Sequence, residues 1–318
     1  MRFTNYHQAL FVAFGLSALT GANDVGGQAS AKAKSAPSAS AARDKAGAPA
    51  APALPAAPVA LTVLPSGTLL ILEEDGGVKQ VQPGQSGIRQ LMSSVARTSA
   101  MDMTSHDGAS PAAVFITVWQ RGRLNFQSTL LRLTETGDVT RRWELGPSTY
   151  IGVAFNPKSK TLFLVNSTKG EIRSLALNQA SDSAKYFHRV SGAEALGPLA
   201  IDARRQRLFV GDAVKGMVFE VDLATKRTRV LVRSLGEPAA LLYDERADKL
   251  YIADAGRKRV VVGTPIPDAA FVPLVTTQTF VEPRGLAQDR VRNLWVADAG
   301  ANKVFLLSPA GRVLRTVP

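Results

Sequence analysis

Four copies of one short pattern, about 45 residues apart, constrain this chain more than any other feature of its sequence. LWVADAG (Leu294–Gly300) recurs as LYIADAG (Leu250–Gly256) and LFVGDAV (Leu208–Val214), and more loosely as LFLVNST (Leu162–Thr168). Each apolar run ends on an acid or an amide: Asn166, Asp212, Asp254 and Asp298, at intervals of 46, 42 and 44 residues. A unit of that length holds four short strands, which is the size of a propeller blade. One blade cannot bury both of its faces, so such units must stack on one another.

The last four units share one plan. Each opens on a small apolar strand (GVAFNP, PLAIDA, AALLYD, RGLAQD) and passes through a charged turn. It then runs through the strand that ends in Asp or Asn and continues into a third (EIRSLAL, MVFEVDL, VVVGT, KVFLLS). These units span Ile151 to about Ala195, Leu199–Leu235, Ala239 to about Phe280, and Gly285–Val317. Upstream, Ala60–Leu64 and Thr68–Leu72 flank the turn Pro65-Ser66-Gly67, and Val78–Val81 and Ile88–Met92 follow. Placing Glu73 at the position of Asp298 makes this a first, degenerate unit. Residues 95–147 are the least regular. Strands are expected near Ala100–Thr104 and at Val114–Trp119, Leu130–Leu133 and Val139–Leu145, with His106 in a loop Ser105–Pro111. The expected fold is an all-β, six-bladed propeller of four-stranded blades over residues 59–318. Blades one and six both read as complete, which leaves the closure of the ring open.

The N-terminal part has a different character. Ala9–Leu19 is an unbroken run of apolar and small residues, followed by Thr20-Gly21-Ala22. Eleven helical residues reach roughly 16 Å, short of a hydrocarbon core of about 30 Å. Residues 1–22 therefore read as a signal peptide, which places the mature protein in the periplasm or outside the cell. No membrane-spanning segment is expected after cleavage. Residues 23–58 are rich in Ala, Ser and Pro, with too little apolar area to offset the ordering of their backbone. They are expected to form a disordered linker. The chain has no cysteine, which excludes disulfides, thiolate metal sites and a cysteine nucleophile. Its formal charge is +12, and about +9 of it lies in the repeat region. A basic body favours anionic neighbours.

VADAGANKV (Val296–Val304) and IADAGRKRV (Ile252–Val260) resemble the NHL repeat. The resemblance covers residues 150–318 well and 59–149 only by period. It implies a six-bladed β-propeller, a fold that serves many unrelated activities. A more distant resemblance is to the gluconolactonase family, which holds a divalent metal in the channel through Glu, two Asn and Asp. Tyr150–Pro157 is similar to one of that family's ligand stretches, but Ile151 stands where a ligand Asn is implied. Gly197 likewise stands where the ligand Asp is implied. The amidating lyases, NHL propellers that bind zinc through histidines, offer a third comparison. Signal cleavage removes His7 and leaves His106 and His188, too few for a three-histidine site.

Two sets of residues stand out as candidates. Asn166, Asp212, Asp254 and Asp298 are read as structural acids that accept hydrogen bonds from turn amides. Tyr150, Glu237, Glu282 and Arg284, at the entries to first strands, are candidates for a binding face. No nucleophile elbow, phosphate loop or H-E-x-x-H motif accompanies them. The basic turns Arg204-Arg205, Lys226-Arg227, Arg257–Arg259 and Arg290/Arg292 read as solvated charges. The expectation is an exported, non-catalytic propeller that binds a protein or an anionic polymer of the cell envelope on one face. RNA is scarce outside the cytoplasm, so nucleic acid is not an expected partner. The alternative is a lactonase-like hydrolase or a lyase at the channel mouth. No cofactor is predicted, and a divalent metal belongs only to that alternative.

Overall fold

The computed structural model describes residues 56–85, 87–94, 98–106, 112–121, 126–178, 183–267, 269–274 and 278–318. The expected signal peptide, and the linker up to residue 55, lie outside the described residues. Alternation between β-branched or apolar residues and Asx/Gly turns breaks the described residues into twenty-four short strands. They form six antiparallel sheets of four, each built from one continuous segment in simple meander order.

Blade 1 comprises β1–β4 (Pro58–Val63, Leu69–Glu73, Val78–Val81, Arg89–Met92). Blade 2 comprises β5–β8 (Thr98–His106, Ala113–Arg121, Phe126–Leu133, Val139–Gly146). Blade 3 holds β9–β12 (Tyr150–Asn156, Thr161–Asn166, Glu171–Ala176, Lys185–Arg189), and blade 4 holds β13–β16 (Leu196–Asp202, Arg207–Asp212, Met217–Asp222, Thr228–Val232). Blade 5 holds β17–β20 (Pro238–Asp244, Lys249–Asp254, Arg259–Gly263, Val272–Pro273), and blade 6 holds β21–β24 (Pro283–Gln288, Leu294–Asp298, Lys303–Leu307, Val313–Val317). Two boundaries differ from expectation. His106 closes strand β5 instead of lying in a loop, because blade 2 has the longest strands. Strand β1 begins at Pro58, inside the expected linker, where the carbonyl of Ala57 already accepts the amide of Glu74.

The first strands of the blades stand side by side around the ring, each next to those of the blades before and after. Apolar side chains fill the wedges between blades, and six clusters of buried residues correspond to the six interfaces. The ring closes without exchanging a strand. Leu61, Leu69 and Ile71 of blade 1 pack directly on Ala287, Trp295 and Ala297 of blade 6. Backbone approach is so close at this seam that a Cβ on Gly285 would lie 3.0 Å from Cα of Ala60. No helix among the described residues is long and apolar enough to cross a membrane.

Candidate functional site at the channel mouth

Strand register places the start of each first strand beside the end of the second: Pro58 opposite Glu73, Leu196 opposite Asp212, Pro238 opposite Asp254, and Pro283 opposite Asp298. These positions share one face of the propeller, here called the upper face. A backbone bond recurs there, from the residue after the repeated position to the carbonyl just before the first strand. It runs from Glu74, Ser167, Ala213, Ala255 and Ala299 to Ala57, Thr149, Ala195, Glu237 and Glu282 in turn.

The side chains at the repeated position add to that bond unequally. The Asp212 carboxylate accepts four amides, from Glu194, Ala195, Val214 and Lys215, at 2.7–3.3 Å. Asp298 accepts three, from Val281, Glu282 and Ala301. Asp254 accepts the amides of Gly236 and Glu237 and the Nε of Arg259. Among the described residues Asn166 accepts the amide of Lys169 alone, and in its blade Thr168 Oγ1 takes the amide of Thr149. In blade 1, Glu73 reaches the amide of Ala56 at 3.5 Å, a longer version of the same contact.

Of the four residues expected on a binding face, the structure brings three together. Arg284 lines the channel at its upper end and is only 5% exposed. Its Nε donates to Glu282 Oε1 at 2.7 Å, and its Nη2 lies on the same oxygen. That nitrogen is also 3.8 Å from Oε1 of Glu237, one blade away. Asp254 and Asp298 hold the backbone of both glutamates through their amides, so the Glu–Arg–Glu set rests on fixed turns. Tyr150 is different. It is 3% exposed and packed with Phe115, Trp143 and Leu164 between blades 2 and 3, so it presents no surface to a partner. Its place at a strand entry is upper-face, but its ring points into the wedge, where aromatic area is best buried.

Below the mouth, the channel encloses about 370 Å³ and is walled by the first strands. Most of its lining is apolar or backbone, with Thr62, Thr104, Tyr243 and Gln288 as the neutral polar groups. Asp102 is its one carboxylate among the described lining residues. It follows a bulge in β5, where the register shifts between Ala100 and Asp102. Oδ2 accepts the amide of Val153 from blade 3 at 2.9 Å, and Oδ1 accepts that of Met103 at 2.8 Å. Burial pushes its pKa up to about 7 against the lowering effect of these two bonds. The side chain retains some contact with the lumen, so its desolvation comes from an enclosed channel and not from sealed protein. A gluconolactonase-like metal site needs several oxygen ligands converging from different strands. Ile151 is buried in apolar packing between blades 3 and 4, and among the described residues that line the channel there is one Asp and no Glu, Asn or His. The residues present do not fit such a centre.

A second ring of side chains, on the lower face, was not singled out in the sequence. Asn156, Asp202, Asp244 and Asp289 end or follow the first strands and accept amides of the turns just after them. The signal was available, since they repeat at intervals of 46, 42 and 45 residues. Several basic turn residues are drawn into this ring. Arg205 pairs with Asp248 of the next blade at 2.8 Å, and Arg292 pairs with Asp244 at 2.9 Å. His188, half-buried, lies 2.8 Å from Thr228 Oγ1 of blade 4, and burial and Lys226 lower its pKa.

No protein-family model matches the chain. Solved structures share its architecture at low identity. A chain from a nidogen/laminin complex matches with a TM-score of 0.65 and 16% identity, over 79% of this chain and 93% of that one. An auxiliary nutrient binding protein from Bacteroides thetaiotaomicron gives 0.61 and 12%, over 78% and 68%. A catalytically inactive virginiamycin B lyase from Staphylococcus aureus, with quinupristin, gives 0.58 and 12%, over 82% and 84%. At such identities the likeness concerns the fold, and a propeller fold does not fix an activity. The chain is a six-bladed β-propeller of four-stranded blades, the architecture that its NHL-like repeats imply.

Proposed function

We propose that this chain is an exported binding propeller whose working surface is the upper face around the channel mouth. Its partner is a protein or an anionic polymer of the cell envelope. One observation carries this reading: Oε1 of Glu237 is buried at the mouth with no hydrogen bond among the described residues, 3.8 Å from Arg284. A buried acceptor left open in this way costs about 1–3 kcal/mol unless a donor supplies the bond. A ligand group seated between Glu237 and Arg284 would do so. Binding roles of similar propellers support the reading, among them the chain of the nidogen/laminin complex and the nutrient binding protein. The apolar run Ala9–Leu19 supports export, with a mature N-terminus near Asn23 or Asp24.

The test uses photo-crosslinking in the native cell. A photoreactive residue is placed at Glu282 on the upper face or at Glu245 on the lower face, in the full chain. Discrete adducts outside the cytoplasm are expected from position 282 and not from 245. Adducts from 245 alone, or none from 282, overturn the proposal.

A second reading is catalysis in the channel by a lactonase-like hydrolase or a lyase, and Asp102 favours it. A carboxyl whose pKa lies near 7 suits general acid–base work at neutral pH. Turnover of a lactone and ester panel by the wild type, abolished in Asp102→Asn, would establish it. Absent or equal turnover would remove it.

A further inference from the structure

We propose that a groove between blades 4 and 5, beside the upper face, binds an oxyanion borne on a partly apolar ligand. The groove encloses about 410 Å³, within the range of about 300–1,000 Å³ typical of ligand pockets. Val232 and Leu235, from the end of blade 4, and Phe271 of blade 5 supply its apolar lining. Arg233, Arg257 and Arg259 supply three guanidinium groups.

The charge balance sets this place apart from the other basic turns. On the lower face each engaged arginine is paired with at least one carboxylate: Arg205 with Asp248 and Asp202, Arg207 with Asp202 and Glu220, and Arg292 with Asp244. In the groove, the one hydrogen-bond partner of the Arg233 side chain among the described residues is the thioether of Met217, at 3.9 Å. Arg257 is exposed and has no side-chain partner among the described residues. Arg259 gives its Nε to Asp254, whose other oxygen is already taken by the amides of Gly236 and Glu237. Of the three cations, only Arg259 is paired with a carboxylate among the described residues, and that carboxylate is buried and already committed.

The backbone that carries them is fixed. The turn bearing Arg257 lies against the loop after Arg233 so closely that a Cβ on Gly236 would fall 2.8 Å from the carbonyl carbon of Gly256. Asp254 ties the same two segments through its hydrogen bonds. Arginine forks match the planar or tetrahedral oxygens of carboxylate, sulfate and phosphate, and prior ordering lowers the entropy lost on binding. Phe271 and the valine side chains then offer area to the carbon skeleton next to the acid. This inference adds a second contact area to the binding role and does not rest on the channel mouth.

Calorimetric titration of the full chain tests it, with polygalacturonate, heparin and polyphosphate as carboxylate, sulfate and phosphate probes. Three proteins are compared: the wild type, the Arg233→Gln/Arg257→Gln double variant, and an Arg204→Gln/Arg290→Gln control that removes equal charge from exposed lower-face turns. At least one probe is expected to bind the wild type. The groove variant should weaken it tenfold or more, about 1.4 kcal/mol for each factor of ten. The control should change it less than about threefold, as general screening by distance implies. The tightest probe identifies the acid class. Failure of all three probes to bind the wild type, or equal losses in the two variants, overturns the proposal. Either failure leaves crosslinking at Glu282 as a separate question, since that surface does not use these arginines.

Discussion

Asp212, Asp254 and Asp298 occupy one place in three blades and carry different loads. Asp212 satisfies four amides, Asp298 three, and Asp254 two amides and a guanidinium. Removal leaves buried donors unpaired at about 1–3 kcal/mol, so alanine substitutions are expected to rank in that range with Asp212→Ala the most damaging. Asn166→Ala, which frees one amide, should cost least. Asp212→Asn should cost less than Asp212→Ala, because Oδ1 alone receives three of the four amides. Chemical unfolding midpoints decide the order, and a flat series would mean that packing and not these bonds fixes the turns. Asp102 gives a pH-dependent prediction. Its folded pKa, about 7, is raised above the ordinary 3.8, so between these values the native state binds more protons than the unfolded one. Stability contributed by this group is therefore lost as pH rises through that window. The melting temperature of the wild type relative to Asp102→Asn should fall from pH 5 to pH 8. An unchanging difference would show that Asp102 does not titrate there.

At the scale of strands, what was legible in the sequence follows what repeats. Blades 3 to 6 announce themselves because each ends its second strand on Asp or Asn and turns at once into a third. The first strand of blade 2 was placed near Ala100–Thr104 but runs to His106, and the blade as a whole was less legible because its second strand ends on Arg121, with no acid to mark the turn. Asp102 was missed for the same physical reason: its role comes from a single bulge and a neighbouring blade's amide, neither of which recurs. Tyr150 shows the complementary limit. Its strand position was readable, while the direction of its ring depended on Phe115 and Trp143 across the wedge. Ring closure also lay beyond the pattern, since it is made by packing between segments more than 200 residues apart in sequence. Gly285→Ala probes that seam directly. Its methyl group would sit 3.0 Å from both Ala60 Cα and Ala297 Cβ, and overpacking of this kind typically costs about 1–3 kcal/mol. A lowered unfolding midpoint is expected, and a neutral variant would show that blades 1 and 6 can part without penalty.

Both faces hold ion pairs, but the short ones that link one blade to the next lie on the lower face. Among the described residues, the upper face leaves Glu237 Oε1 without a hydrogen bond and pairs only Arg259 of the three groove arginines with a carboxylate, whereas the lower face of blades 4 to 6 is laced with ion pairs. Arg207 is the centre of that lacing. It is 12% exposed and holds Asp202, which is fully buried, at 2.7 Å and Glu220 at 3.0 Å. It also donates to the carbonyl of Pro265 in blade 5. Arg205 is 47% exposed; its main pairing, with Asp248 at 2.8 Å, takes place in solvent, and it reaches Asp202 only at 3.3 Å, through one nitrogen. The physics separates the two. Exposed pairs contribute about 0–1 kcal/mol, whereas stripping the partner from buried carboxylates costs about 3–5 kcal/mol. Arg207→Ala should therefore unfold far more readily than Arg205→Ala, although both remove one guanidinium from the same turn. The pH dependence provides the discriminating control. Burial works to raise the pKa of Asp202, but the Arg205 amide and the Arg207 guanidinium outweigh it and hold the carboxyl below its ordinary value near 3.8. A depressed folded pKa contributes stability above the unfolded value, which is lost as pH falls through the folded one. The gap between wild type and Arg207→Ala should thus be full at pH 7 and narrow only as the pH falls below the ordinary carboxylate value, toward the lower folded value of Asp202. A gap that persists unchanged in acid would assign the loss to the stacking of the Arg207 guanidinium over the Phe209 ring, 5.3 Å from its centroid, and not to its pairing with Asp202.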